Sequence, residues 1–156
     1  MPDRLKNVIN HESVVRATGE SVITIVCTHA DELFAHALAV LPEECCGLVG
    51  GKGYISTSVY PLQNTARDPQ ARYEARPEDL FAAQKTMRAR GEELLAIYHS
   101  HPHDAEPEPS ETDVRLAYYP EVIYLIIGFD KHRPVLRGFR ISSVKRSWGA
   151  AGFRIV

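Results

Sequence analysis

The feature that most constrains this chain is an apolar run that passes without a break into a polar one: Leu94-Leu95-Ala96-Ile97-Tyr98, then His99-Ser100-His101-Pro102. Five consecutive apolar residues read as a short strand buried on both faces. The seven residues that follow, HDAEPEP, combine prolines with acids and read as a loop. Chemistry at a strand end is therefore implied.

The rest of the sequence supplies layers to cover such a strand. Ser21 to Cys27 is β-branched and predicts a strand. From Asp31 onward Leu33, Phe34, Ala37, Leu38 and Leu41 recur at three- and four-residue steps, predicting a helix with acids in its first turn that stops before Pro42. Cys46 to Val49 and Tyr54 to Tyr60 flank three glycines and predict a hairpin. The stretch from Pro61 to Arg76 is irregular, with a short strand expected at Arg72 to Ala75. A second helix is expected from Pro77, with Glu78 and Asp79 in its first turn, Leu80, Ala83, Gln84 and Met87 facing inward, and Gly91 after its end. Ser110 opens a short third helix, followed by strands at Val122 to Phe129, Val135 to Ile141 and, weakly, Gly152 to Val156. The interleaving lacks the regular strand-and-crossover rhythm of a doubly wound fold, so the expected class is α/β with a central mixed, curved sheet packed with helices.

A length of 156 residues fits one domain spanning 1–156, with 1–20 expected to be loosely ordered. With 18 basic and 20 acidic side chains, the formal charge of −2 gives no footprint for nucleic acid or an anionic membrane surface. The first residues lack a secretory pattern and no long apolar run occurs, so the expected compartment is the cytoplasm. Cys27, Cys45 and Cys46 are odd in number, two of them adjacent, and are read as reduced and buried.

In a strand, residues two apart point to one side, so His99 and His101 form a pincer while Ser100 faces away. A catalytic zinc takes three protein ligands and keeps a fourth place open. Asp113 is the natural third, because a helix opening at Ser110 puts it beside the loop. The bland readings compete: His-x-His arises by chance, and Ser110-x-x-Asp113 is a capping box that needs no metal.

The two halves together, at their spacing, match the JAMM motif of the MPN metalloprotease family. The remaining element, a glutamate before an apolar, glycine-containing strand, resembles Glu44 in PEECCGLVGG, and the chain looks most like the short stand-alone prokaryotic members of Mec type. These share ECCGL, a stretch like Asn64 to Pro69, and IYHSHP. The resemblance implies MPN layering akin to that of cytidine deaminases and one catalytic Zn2+ on His99, His101 and Asp113. It further implies Glu44 as general base and Ser110 as a hydroxyl for the oxyanion. Spacing alone does not rank Glu44 against its neighbour Glu43. The implied reaction is hydrolysis of an amide or isopeptide bond after the Gly-Gly tail of a ubiquitin-like protein. A ThiS/MoaD-like sulfur carrier or its conjugate would be the partner, and a homodimer is left open.

Cys45 and Cys46 are read as core rather than extra ligands, and His103 as a loop side chain near the site. Two other classes compete with the hydrolase: a non-catalytic MPN scaffold, which would have lost metal ligands, and a cupin barrel, which would be nearly all strand.

Overall fold

The computed structural model describes residues 22–156. The expectations for 1–20, and the start of the first strand at Ser21, lie outside the described residues. The elements are β1 (Ile23–Ile25), α1 (Cys27–Ala39), β2 (Cys46–Lys52), β3 (Ile55–Leu62), α2 (Pro77–Ala89), β4 (Glu93–Ser100), α3 (Glu111–Arg115), β5 (Ile123–Asp130), β6 (Arg133–Ser142), β7 (Ser147–Ala150) and β8 (Phe153–Ile155).

They form an eight-stranded sheet in the order β7-β6-β5-β4-β2-β3-β1-β8. It is mixed: β1 runs parallel to β3 and β8, β4 runs parallel to β5, and the other neighbours are antiparallel. Strands β7 and β8 occupy opposite edges, yet only Ala151 and Gly152 separate them in the chain. Eight strands laid flat at about 4.8 Å spacing would hold those edges roughly 34 Å apart, whereas three peptide steps reach about 11 Å. The sheet therefore curls until its ends approach. The Ala151 N–H continues the β6–β7 pairing to the Gly138 carbonyl at 2.8 Å, just before the chain turns into β8. A side chain at Gly138 would meet the Ala151 carbonyl oxygen at 2.7 Å, so this position tolerates only glycine.

Helix α1 covers one face through Ala30, Leu33, Phe34 and Ala37, packed with Ile25, Val49, Tyr98, Leu125 and Ile127. Helix α2 covers part of the other through Ala83 and Met87 on Cys46, Leu48 and Leu62. β5 is buried on both sides, as its unbroken apolar sequence requires.

Helix α1 begins at Cys27, four residues before the expected Asp31, so the acids fall in its second turn and Cys27 is exposed rather than buried. The cause is tertiary. Cys27 N–H donates to the Val156 carbonyl at 2.8 Å, while Val26 N–H donates to Ser56 Oγ at 2.8 Å. The hairpin turn uses positive φ at Gly53 (57°) and at Tyr54 (69°), the left-handed pair that matches strand twist. No strand forms at Arg72 to Ala75; an isolated bridge from Asn64 to Ala75 replaces it. β7 was not anticipated, because Ser147-Trp148-Gly149-Ala150 lacks an alternating pattern. Two thirteen-residue helices exclude the cupin barrel. Among the described residues no helix is long and apolar enough to cross a membrane.

Candidate metal centre

β4 lies between β2 and β5, with Cys46 opposite His99 on one side and Ile126 beside it on the other. Past the strand end, His101 N–H still donates to the Ile127 carbonyl at 2.8 Å. Extended geometry thus persists through His101, and the two imidazoles share a face. Ser100 points the other way, fully buried, and its Oγ accepts the Cys45 N–H at 2.8 Å.

Asp113 arrives from α3. Ser110 caps that helix: its Oγ accepts Asp113 N–H at 3.1 Å, and Asp113 Oδ2 accepts Ser110 N–H at 2.9 Å. The same Oδ2 stands 3.1 Å from His99 Nε2 and 3.1 Å from His101 Nε2, and those nitrogens are 3.1 Å apart. The capping box and the approach to the histidines coexist in one carboxylate.

The three donor atoms make an equilateral triangle. Tetrahedral donors around zinc at about 2.0–2.2 Å stand roughly 3.3–3.6 Å apart, so the triangle fits that ion after widening by a few tenths of an ångström. Without a cation the contact is poor, because two imidazole N–H groups aimed at one oxygen from 3.1 Å apart face each other. The arrangement suits a metal ion.

Glu44 completes the site from the turn before β2. Its carboxylate and the histidine donors all lie within 4.8 Å of one another, and it is 5% exposed. Glu43 is exposed, so burial ranks the two adjacent carboxylates where spacing did not. Burial pushes Glu44 up to about 7, with the neighbouring Asp113, Asp104 and Asp68 charges adding to it and His101 opposing. At Asp113 burial acts upward, but the His99 charge and the hydrogen bonds from both imidazoles and Ser110 outweigh it, holding the carboxyl well below its usual range. Burial pulls His101 down; the Asp113 hydrogen bond and the surrounding carboxylates reverse that and raise it.

Three supporting residues were not read from sequence. Asp104 Oδ2 lies 3.4 Å from His101 Nδ1, an ion-pair contact on the side of the ring away from Nε2. Tyr73 stacks on the His99 ring with centroids 4.6 Å apart. Asn64 bonds the Glu44 carbonyl at 3.0 Å. Each comes from a loop whose path no local pattern specifies, although His-x-x-Asp at 101–104 was a usable signal. His99 Nδ1 is buried with no hydrogen-bond partner among the described residues.

Cys45 and Cys46 are buried, and burial pushes both thiols up to about 12, which keeps them protonated and poor ligands. His103 is exposed and outside the cluster. The loop 103–109 is held along β5 and β6: Phe129 N–H donates to the Asp104 carbonyl at 2.8 Å and Arg137 Nη1 to that of Pro107 at 3.2 Å. None of its residues lines the groove of about 280 Å³ that leads to Asp113 between Tyr73, Ala75, Ile97 and Tyr124.

Comparison with known proteins gives the family of the chain. The family described as prokaryotic homologs of the JAB domain matches residues 27–142, and the chain belongs to it. Relatives include a desampylase from Haloferax volcanii, 30% identical over 70% of this chain and 83% of that protein. A CysO-cysteine peptidase from Mycobacterium tuberculosis is 32% identical over 77% of this chain and 83% of its own length. A probable TtuB-protein conjugate cleaving protease from Thermus thermophilus is 39% identical over 68% of this chain and 70% of that protein. Among solved structures, a protein from Desulfitobacterium hafniense superposes with a TM-score of 0.75 at 34% identity, covering 86% of this chain and 93% of that one. A JAB1/MPN domain protein from Archaeoglobus fulgidus shares the fold, with a TM-score of 0.57 at 15% identity over 88% of this chain and 100% of that one.

Proposed function

We propose that the protein is a zinc-dependent hydrolase that cuts an amide or isopeptide bond at the Gly-Gly tail of a ubiquitin-like protein. The carrier would be of ThiS/MoaD type, releasing an amino acid or a conjugated protein. The observation that carries this reading is the triangle of His99 Nε2, His101 Nε2 and Asp113 Oδ2, with the buried Glu44 carboxylate beside it.

His99, His101 and Asp113 would hold the zinc. Bound there, it would supply Lewis acidity for polarising the scissile carbonyl and for acidifying the attacking water. Glu44 takes the proton from the attacking water and returns it to the leaving amine. Its burial keeps its proton affinity close to that required at neutral pH. Ser110 uses a lone pair to cap α3, so its own O–H stays free to donate to the oxyanion. The groove past Tyr73 and Ala75 accepts the tail in extended form. The named relatives support the substrate class: one is a desampylase, one a probable protease cleaving TtuB-protein conjugates and one a CysO-cysteine peptidase. Three unpaired cysteines favour a reducing compartment, and we place the enzyme in the cytoplasm. A non-catalytic scaffold is disfavoured because it has no use for a buried carboxylate beside the donors.

Hydrolysis of a sulfur-carrier conjugate by wild type, Glu44→Gln and His101→Ala tests the reading. Glu44→Gln should retain zinc and lose turnover, and His101→Ala should lose both. Full activity in Glu44→Gln, or a wild type that binds zinc and cleaves no conjugate, would refute it.

A further inference from the structure

The irregular segment 65–74 is closed at its base by main-chain bonds: Thr65 N–H to the Glu74 carbonyl at 2.8 Å and Arg76 N–H to the Gln63 carbonyl at 2.9 Å. Inside it one side chain replaces regular structure. Asn64 Oδ1 accepts the N–H groups of Ala66 at 2.9 Å and Glu74 at 3.1 Å, which uses both of its lone pairs. Asn64 Nδ2 donates to the Arg72 carbonyl at 3.0 Å and, more distantly, to that of Pro69 at 3.3 Å. The same Nδ2 reaches out of the segment to the Glu44 carbonyl at 3.0 Å, while Glu44 N–H donates to the Pro69 carbonyl at 2.8 Å.

Two parts of the site therefore depend on this carboxamide. Glu44 is gripped at its N–H and at its C=O, so its carboxylate starts from a fixed point. Tyr73, between two residues that bond Asn64, is held against His99, whose own Nδ1 has no partner to orient the ring. A glutamine would be one methylene too long for five contacts converging on one terminus, and an aspartate would set oxygen against three carbonyls.

We propose that Asn64 is a positioning residue for the hydrolysis, keeping the Glu44 base in register with the histidine pair through its bonds to the Glu44 and 66–74 main chain. It touches neither metal nor substrate, and the inference rests on the hydrolase reading above.

The test compares zinc-loaded wild type, Asn64→Ala and the near-isosteric Asn64→Asp on one carrier conjugate. It also follows zinc content, far-ultraviolet circular dichroism and the rate of tryptic nicking after Arg67 and Arg72. Both variants should keep one zinc per chain and wild-type helix content, lose at least tenfold in kcat, and nick at least tenfold faster in that segment with no change after Lys131. In single-turnover assays, Asn64→Ala should cost less than twofold once Glu44→Gln is present, because a displaced base and an absent one lose the same step. A kcat within twofold of wild type, zinc lost in step with activity, or a full tenfold loss added to Glu44→Gln would each overturn the proposal. If Asn64→Ala fails to fold, Asn64→Asp decides, and if neither folds the residue serves folding and the proposal falls. An inactive wild type removes the hydrolase reading and this one together. An active wild type with full-rate Asn64 variants removes this one alone.

Discussion

Ser100 and Cys45 bond each other twice: the Ser100 hydroxyl accepts the Cys45 N–H at 2.8 Å, and the Ser100 N–H donates to the Cys45 carbonyl at 3.1 Å. The residue between the two histidines is thereby fastened to the residue after Glu44. His99 stands on β4 and Glu44 in the turn before β2, and this pair of bonds ties the two segments together.

Ser100→Ala removes the hydroxyl and leaves a buried Cys45 N–H unpaired. It should destabilise the fold by about 1–3 kcal/mol, the cost of such an orphan. Zinc binding should persist while kcat falls by more than KM changes. Denaturant unfolding and steady-state kinetics check both halves.

Glu44 makes metal-free stability depend on pH. Its native value of about 7 exceeds the ordinary 4.5, so the folded state holds an extra proton between those limits and stability falls as pH rises through them. Glu44→Gln abolishes that loss. In excess EDTA the variant and wild type should differ little at pH 4.5. By pH 8 the variant should be the more stable, by up to about 3 kcal/mol. Thermal melts across the range measure this, and parallel curves for the two proteins would contradict it.

Asp113 contributes in the opposite sense. Its native value is depressed, so its stabilisation is present above the ordinary 3.8 and disappears as pH falls further. Asp113→Asn should abolish stoichiometric zinc and flatten the acid side of the metal-free stability curve. For wild type, chelation at a free zinc level a thousandfold above Kd should remove about 4 kcal/mol, seen as a lower Tm. Elemental analysis with calorimetry tests both.

Gly128 lies under the loop that carries Asp104. A side chain there would run into the Asp104 carbonyl oxygen and meet Pro107 Cδ at 2.7 Å. Gly128→Ala should destabilise by about 1–3 kcal/mol through overpacking. It should also weaken zinc affinity by roughly tenfold, because the displaced loop carries the Asp104 carboxylate away from His101 Nδ1. Competition against a chromogenic chelator reads the affinity.

What the sequence determined by itself is what depends on neighbours along the chain. The apolar periodicities of Leu33 to Ala37 and Leu80 to Met87 produced helices, and Leu94 to Tyr98 a strand, though one in which only Ala96 and Tyr98 are fully buried. The alternation of one strand placed His99 and His101 on one face, and the three-residue spacing of a cap joined Ser110 to Asp113. Where separate pieces meet depends on the packed fold. The early start of α1 at Cys27 depends on Val156 and Ser56. The burial that separates Glu44 from Glu43 depends on the packed fold, and the stacking of Tyr73 on His99 and the bond of Asn64 to Glu44 join residues twenty or more positions apart. Local preferences carry no information about such meetings, because long-range hydrogen bonds and desolvation arise only once the sheet has curled and its layers have closed.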